Sequence, residues 1–137
     1  MKKILISITL LLSILLSGCA ADSRILIRKM NEKYSNNQNY VVLTGTIVEV
    51  VREGYVFEIK SEDLKSYLNY DTERFKIHGK PIEDLNVGDE IVFTTVVFHF
   101  YNGHVLPIVE LKKDGIVLLS FEEGKQNLLR WVNEDFR

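Results

Sequence analysis

Three glycine-bearing dipeptides, Glu53-Gly54, Asn102-Gly103 and Asp114-Gly115, punctuate a β-branched stretch running from Tyr40 to Ser120. They constrain the fold more than any other feature. A two-residue hairpin loop of type I′ needs positive φ at both central positions, which Asn-Gly and Asp-Gly adopt at little steric cost. Strands joined by loops that short return antiparallel. The flanking runs are Tyr40 to Val51 and Tyr55 to Lys60, then Ile91 to Tyr101 and His104 to Lys112, then Ile116 to Leu119. Their Val, Ile, Thr, Tyr and Phe content suits a pleated, half-buried surface. The expected product is a small, mainly β, antiparallel domain.

Less regular sequence, SEDLKSYLNYDTERFKIHGKPIEDLNVGDE, lies between the second strand and the long hairpin. Ser61 with Glu62 and Asp63 can open one helical turn by capping and dipole complementarity. Arg74 to His78 can form a short strand, Pro81 to Leu85 a second short helix, and Asn86-Val87-Gly88-Asp89 a turn into the next strand. At the other end, Ser120-Phe121-Glu122-Glu123 fits a capping box, and Leu128, Leu129, Val132 and Phe136 form an apolar stripe. This predicts a C-terminal helix docked on the barrel, with Gly124 a mild internal cost. The strand Ile91 to Tyr101 is apolar on both faces, so the helix with Trp131 is expected to cover the second face; otherwise that face is a binding patch.

Upstream, Ile25, Leu26, Met30 and Tyr34 fall near helical spacing, with Arg24, Arg28, Lys29 and Lys33 on other positions. A short amphipathic helix follows, either packed on the domain or acting as a basic collar against anionic headgroups. Ser35 to Asn39 reads as a polar linker, so the folded domain is expected to span residues 40–137.

The first eighteen residues hold 11 of the 63 apolar residues in the 137-residue chain. Two lysines precede a run in which ten of the thirteen residues from Ile4 to Leu16 are Leu or Ile. That is the layout of a secretory leader, and its apolar segment is shorter than the roughly 20 residues a helical span needs. Leu16-Ser17-Gly18-Cys19 resembles the lipobox of bacterial lipoprotein precursors. The resemblance implies cleavage after residue 18, a diacylglyceryl thioether on Cys19, acylation such as palmitoylation of its new amino group, and a membrane anchor on the extracytoplasmic face. Residues 19–39 would then be the lipidated N-terminus, short helix and linker. Cys19 is the single Cys, so neither an intramolecular disulfide nor a thiolate zinc site can form. Losing the leader leaves 119 residues with 15 basic and 19 acidic side chains, a charge of −4. No basic footprint for nucleic acid is visible.

The order strand with internal Gly, tight turn, strand, irregular segment, short strand, short helix ending in a Gly-Asp turn and long hairpin resembles the five-stranded OB-fold of anticodon-binding type. Val42-Leu43-Thr44-Gly45-Thr46-Ile47-Val48 carries the first strand, Val87-Gly88-Asp89-Glu90-Ile91-Val92-Phe93 the start of the fourth, and Asn102-Gly103-His104-Val105-Leu106 the hairpin into the fifth. Strand-Gly-strand and Val-Gly-Asp patterns also occur in SH3-like barrels. OB-folds bind ligands on the face of strands 2 and 3 and through the neighbouring loops. The resemblance therefore implies Arg52, Tyr55, Phe57, Phe75, Lys76, His78, Tyr101 and His104 as candidate ligand-binding residues. Both connecting loops are minimal turns here, unlike the long gripping loops of nucleic-acid-binding OB domains.

With a two-residue Asn102-Gly103 turn, Tyr101 would pair with His104 and His99 would lie diagonally, near enough to share a metal. No third ligand is set by spacing, so no metal or other cofactor is assigned. The adjacent acids Glu62/Asp63, Glu83/Asp84, Asp89/Glu90, Glu122/Glu123 and Glu134/Asp135 diverge on a strand or helix and form no acid/base pair. No phosphate loop, triad spacing or zincin motif occurs. The expected protein is a non-enzymatic, lipid-anchored envelope binding module whose partner is an envelope protein or a small molecule. The alternatives are a structural or stress-response lipoprotein, or an enzyme with a dispersed polar site around His78, His99 and His104.

Overall fold

The computed structural model describes residues 23–52, 55–100 and 103–135. The leader, Cys19, the Glu53-Gly54 pair, Tyr101 and Phe136 lie outside the described residues, as do the side chains of Arg52 and Tyr55. The protein is mainly β. In chain order its elements are helix α1 (23–35), a 3-10 turn (Asn37–Asn39), β1 (Val41–Arg52), β2 (Tyr55–Lys60), α2 (Glu62–Leu68) and β3 (Arg74–Ile77). There follow β4 (Glu90–Thr95), β5 (Phe98–Phe100), β6 (Gly103–Val105), β7 (Ile108–Lys113), β8 (Ile116–Leu119) and α3 (Phe121–Arg130), extended by a π turn (Trp131–Asp135).

Six strands form one sheet in the order β3-β2-β1-β4-β7-β8, and β5 with β6 forms a separate ribbon. The 12-residue β1 serves two partners: Val41 to Thr46 pair with β4, and Thr46 to Arg52 with β2. Gly45 sits where the strand changes partner, and a Cβ there would come within 3.1 Å of the Lys60 carbonyl oxygen. The glycine allows this close approach. Asp114 and Gly115, at φ 53° and 76°, make the expected tight turn between β7 and β8.

The sheet does not close into a barrel. Edge strand β3 reaches β7 through one parallel bridge, His78 to Pro107, made by His78 N–H to Leu106 O (2.9 Å) and Ile108 N–H to His78 O (2.8 Å). Pro107 has no N–H with which to extend a ladder. The sheet is left partly open between these two strands.

Two further expectations change. The long hairpin folds over at Val96-Val97 and Leu106-Pro107, so its tip leaves the main sheet as β5–β6. The fold-over is held by a buried Thr95 Oγ1–H donating to Pro107 O at 2.7 Å, and it sends Val96 and Val97 into different cores. Pro81 to Leu85 forms a turn rather than a helix, with Asp84 at φ 65°. Five residues cannot repay helix nucleation, whereas Leu85 in an extended loop reaches the core.

The larger core lies against one face of the sheet and includes Ile47, Phe57, Ile59, Leu64, Ile77, Phe93 and Leu111. The second joins Met30 and Tyr34 of α1 to Val96, Val109, Leu128 and Val132, so the C-terminal helix covers part of the long strand's other face. Its fit depends on Gly124. A Cβ at that position would fall inside 3.0 Å of the Val109 carbonyl oxygen, carbonyl carbon and Cα. The helix axis thus lies directly on the β7 backbone, and the glycine read as a cost in sequence is a packing requirement.

The polar stretch after α1 caps it. Lys33 O accepts from Asn39 Nδ2 (2.8 Å), Tyr34 O from Tyr40 Oη (2.6 Å) and Ser35 O from Lys125 Nζ (3.1 Å). Three C-terminal carbonyls that a helix cannot satisfy internally thereby gain partners. Asn31 and Asn133 exchange two side-chain amide bonds, at 3.0 and 2.9 Å, tying α1 to the C-terminal helix.

Candidate functional site

The carboxyl end of α2, the end of β3 and the β5–β6 ribbon meet at one end of the sheet. Ser61 starts α2 by accepting the Leu64 N–H on Oγ (3.1 Å), giving two turns rather than one, and Asn69 ends it at φ 54°. That left-handed cap turns the chain so that Tyr70 comes back over Phe75, their rings 6.4 Å apart and stacked. Tyr70 Oη lies 2.9 Å from His104 Nδ1, with ring centroids 5.2 Å apart. His99 faces His104 directly across the ribbon, rings 6.4 Å apart.

That register differs by two residues from the expected pairing, with His104 opposite His99 rather than Tyr101. Phe98 pairs with Val105, His99 with His104 and Phe100 with Gly103. The ribbon register follows the fold-over at Val96-Val97 rather than the turn dipeptide.

His78 is half-buried beside Leu106, and its Nδ1 has no hydrogen-bond partner. Burial chiefly holds its imidazole below the ordinary value of 6.5; the Leu106 carbonyl opposes this, and His104 and Lys76 reinforce it. His104 is lowered too, first by burial and then by His99. No carboxylate contributes to either shift. The described residues contain no group of three His, Cys, Asp or Glu side chains placed to hold one metal ion.

The other candidate residues separate. Phe57 and Phe75, at 0% and 4% exposure, point into the larger core and are closed to ligands. Strand alternation set this: the period that exposes Arg74 and Lys76 buries Phe75 and Ile77. Lys76 lies on the outer face opposite Glu58, which pairs with Arg74 Nε at 2.8 Å, while Lys60 Nζ pairs with Glu73 at 3.0 Å. Of the eight, His78 and His104 are brought together, with Lys76 acting on His78 through space. Tyr70, which orients His104, was not foreseen. It follows a helix cap in an irregular segment, and no periodicity marks it.

Comparison with known proteins found no match among family models, curated proteins or solved structures.

Proposed function

We propose that the protein is a lipid-anchored, extracytoplasmic binding module of a bacterial cell envelope, not an enzyme, taking an envelope protein or a small molecule as its ligand. The observation that carries this reading is the leader ending in Leu16-Ser17-Gly18-Cys19. Cys19 precedes the start of α1 at residue 23 by four residues, about 14 Å of chain at full extension. Because α1 is anchored in the second core through Met30 and Tyr34, a lipid on Cys19 would hold the domain close against the bilayer. No helix among the described residues is long and apolar enough to cross a membrane.

Binding rather than catalysis is favoured at the sheet end. Among the described residues no carboxylate bonds to His104, whose hydrogen-bond partner is Tyr70, so the orienting acid of a nucleophile–base–acid relay is missing. Nucleic acid is disfavoured because Arg74 and Lys60, on the strand 2 and 3 face, are already paired with Glu58 and Glu73.

Membrane fractionation of the full chain and of Cys19→Ala tests the anchor. The wild type is expected in the membrane fraction with a lipid mass increment, and the variant as unprocessed or released protein. Unchanged processing and retention of the variant would refute it. Crosslinking on intact cells, followed by recovery of the anchored protein, tests the binding role.

A further inference from the structure

The chain has three histidines, and the fold gathers all of them, His78, His99 and His104, at one end of the sheet. They come from three separate backbone segments: the end of β3, β5 and β6. We propose that this cluster, with Tyr70, binds an oxyanion group of the phosphate or sulfate class when His104 is protonated.

The geometry supplies donors. Tyr70 engages His104 at Nδ1, which leaves Nε2 directed away from the tyrosine, and His99 stands opposite on the same face of the ribbon. The two imidazoles, 6.4 Å apart and edge to face, each carry an N–H that can donate to a group seated against the pair. His99 is exposed and His104 half-buried, so both are reachable while the ribbon keeps them in place. Once charged, each makes the shorter, stronger bond of a cation to an oxyanion.

The charge environment selects the ligand's sign. Facing His78 are His104, Lys76 and the Leu106 carbonyl; facing His104 are Tyr70 and His99. Among the described residues, the charged side chains that act on these two imidazoles are Lys76, His99 and His104, and no carboxylate. Protonation without a counter-anion would place like charges side by side, so an oxyanion would stabilise the protonated cluster. The half-buried His78, its Nδ1 unpartnered, lies behind the pair. A divalent metal fits less well, since the described residues provide no three-ligand group.

The proposal rests on the binding reading above and is independent of the lipid anchor. It is tested on the full chain in nonionic detergent by imidazole NMR, titrating sodium sulfate at about pH 5.5 and about pH 7.5 with ionic strength held by sodium chloride. The expected result is saturable shifts of His99 and His104 at the lower pH, about tenfold or more weaker at the higher, and a raised His104 pKa with sulfate. His99→Gln with His104→Gln, both outside the cores, should abolish the response while leaving the far-ultraviolet circular dichroism of the fold unchanged. Tyr70→Phe should weaken binding and keep the ring packing. Vesicles of phosphatidic acid against phosphatidylcholine identify the source: displacement of sulfate by the former alone assigns a lipid headgroup, and no displacement assigns a free oxyanion. A sulfate response equal to chloride's, or one persisting in the double variant, overturns the proposal. So does a zinc response at the higher pH without sulfate binding at the lower. Crosslinked recovery of a protein partner in the absence of sulfate binding would leave the binding module standing and remove the oxyanion site.

Discussion

Replacing Gly124 by Ala sets two physical effects against each other at a single methyl group. In an exposed helix the change should stabilise by about 1 kcal/mol, because glycine gives up the most backbone entropy. In α3 the added Cβ falls inside 3.0 Å of three main-chain atoms of Val109, whose neighbours Ile108 and Glu110 are both paired with β4. A backbone held on either side of the contact cannot easily retreat, so the helix must lift from the sheet. A radial gap of about 0.5–1 Å forfeits roughly a quarter to a half of each dispersion contact under Leu128 and Val132. Overpacking of this kind costs about 1–3 kcal/mol, and the buried side chains that lose contact add to it. The net expectation is destabilisation by about 2 kcal/mol, or roughly 8–12 °C in the thermal midpoint for a domain of this size. Urea unfolding followed by far-ultraviolet circular dichroism and Trp131 fluorescence measures it. Gln126→Ala, exposed two residues further along the same helix, should be neutral or slightly stabilising and controls for propensity. A Gly124→Ala protein as stable as the wild type would mean that α3 does not rest on the Val109 backbone.

Tyr40→Phe removes the 2.6 Å bond to Tyr34 O and should cost about 1 kcal/mol in the same assay. In the wild type, ultraviolet titration should show one phenol ionising only near the value of about 12 to which burial pushes Tyr40. A double-mutant cycle of Asn31→Ala and Asn133→Ala should give a coupling of about 1 kcal/mol, and none if the two amides do not meet. The imidazoles of His78 and His104 are held below 6.5 in the folded protein, so as pH falls the unfolded chain takes up protons first. Their contribution is complete above 6.5 and is lost as pH drops through the lower folded values. The urea midpoint should therefore decline from about pH 7.5 to about pH 5, and His78→Gln should flatten the decline; an unaltered slope in the variant would contradict the assignment.

Local signals carried much of the fold. Asp114-Gly115 dictates its own turn because both residues tolerate positive φ. Ser61 and Ser120 cap their helices because a side-chain oxygen lies three residues before an unsatisfied N–H. Met30 and Tyr34 face the core because four residues make about one helical turn. These outcomes depend on neighbours a few residues apart, which the order of side chains contains outright.

What only tertiary structure decided involves groups distant in sequence. Phe75 is buried and Lys76 exposed because β3 pairs with β2 in one register, and a shift by one residue would exchange them. The long hairpin bends at Val96-Val97 because two cores compete for adjacent valines, and its tip register shifts with the bend. Gly124 changes from a cost to a requirement only when Val109 arrives beneath it. Tyr70, His78, His99 and His104 meet because a left-handed cap, a parallel bridge and a folded-over ribbon converge. Each of those is a small local event, and their coincidence at one end of the sheet is a property of packing that no window of sequence contains.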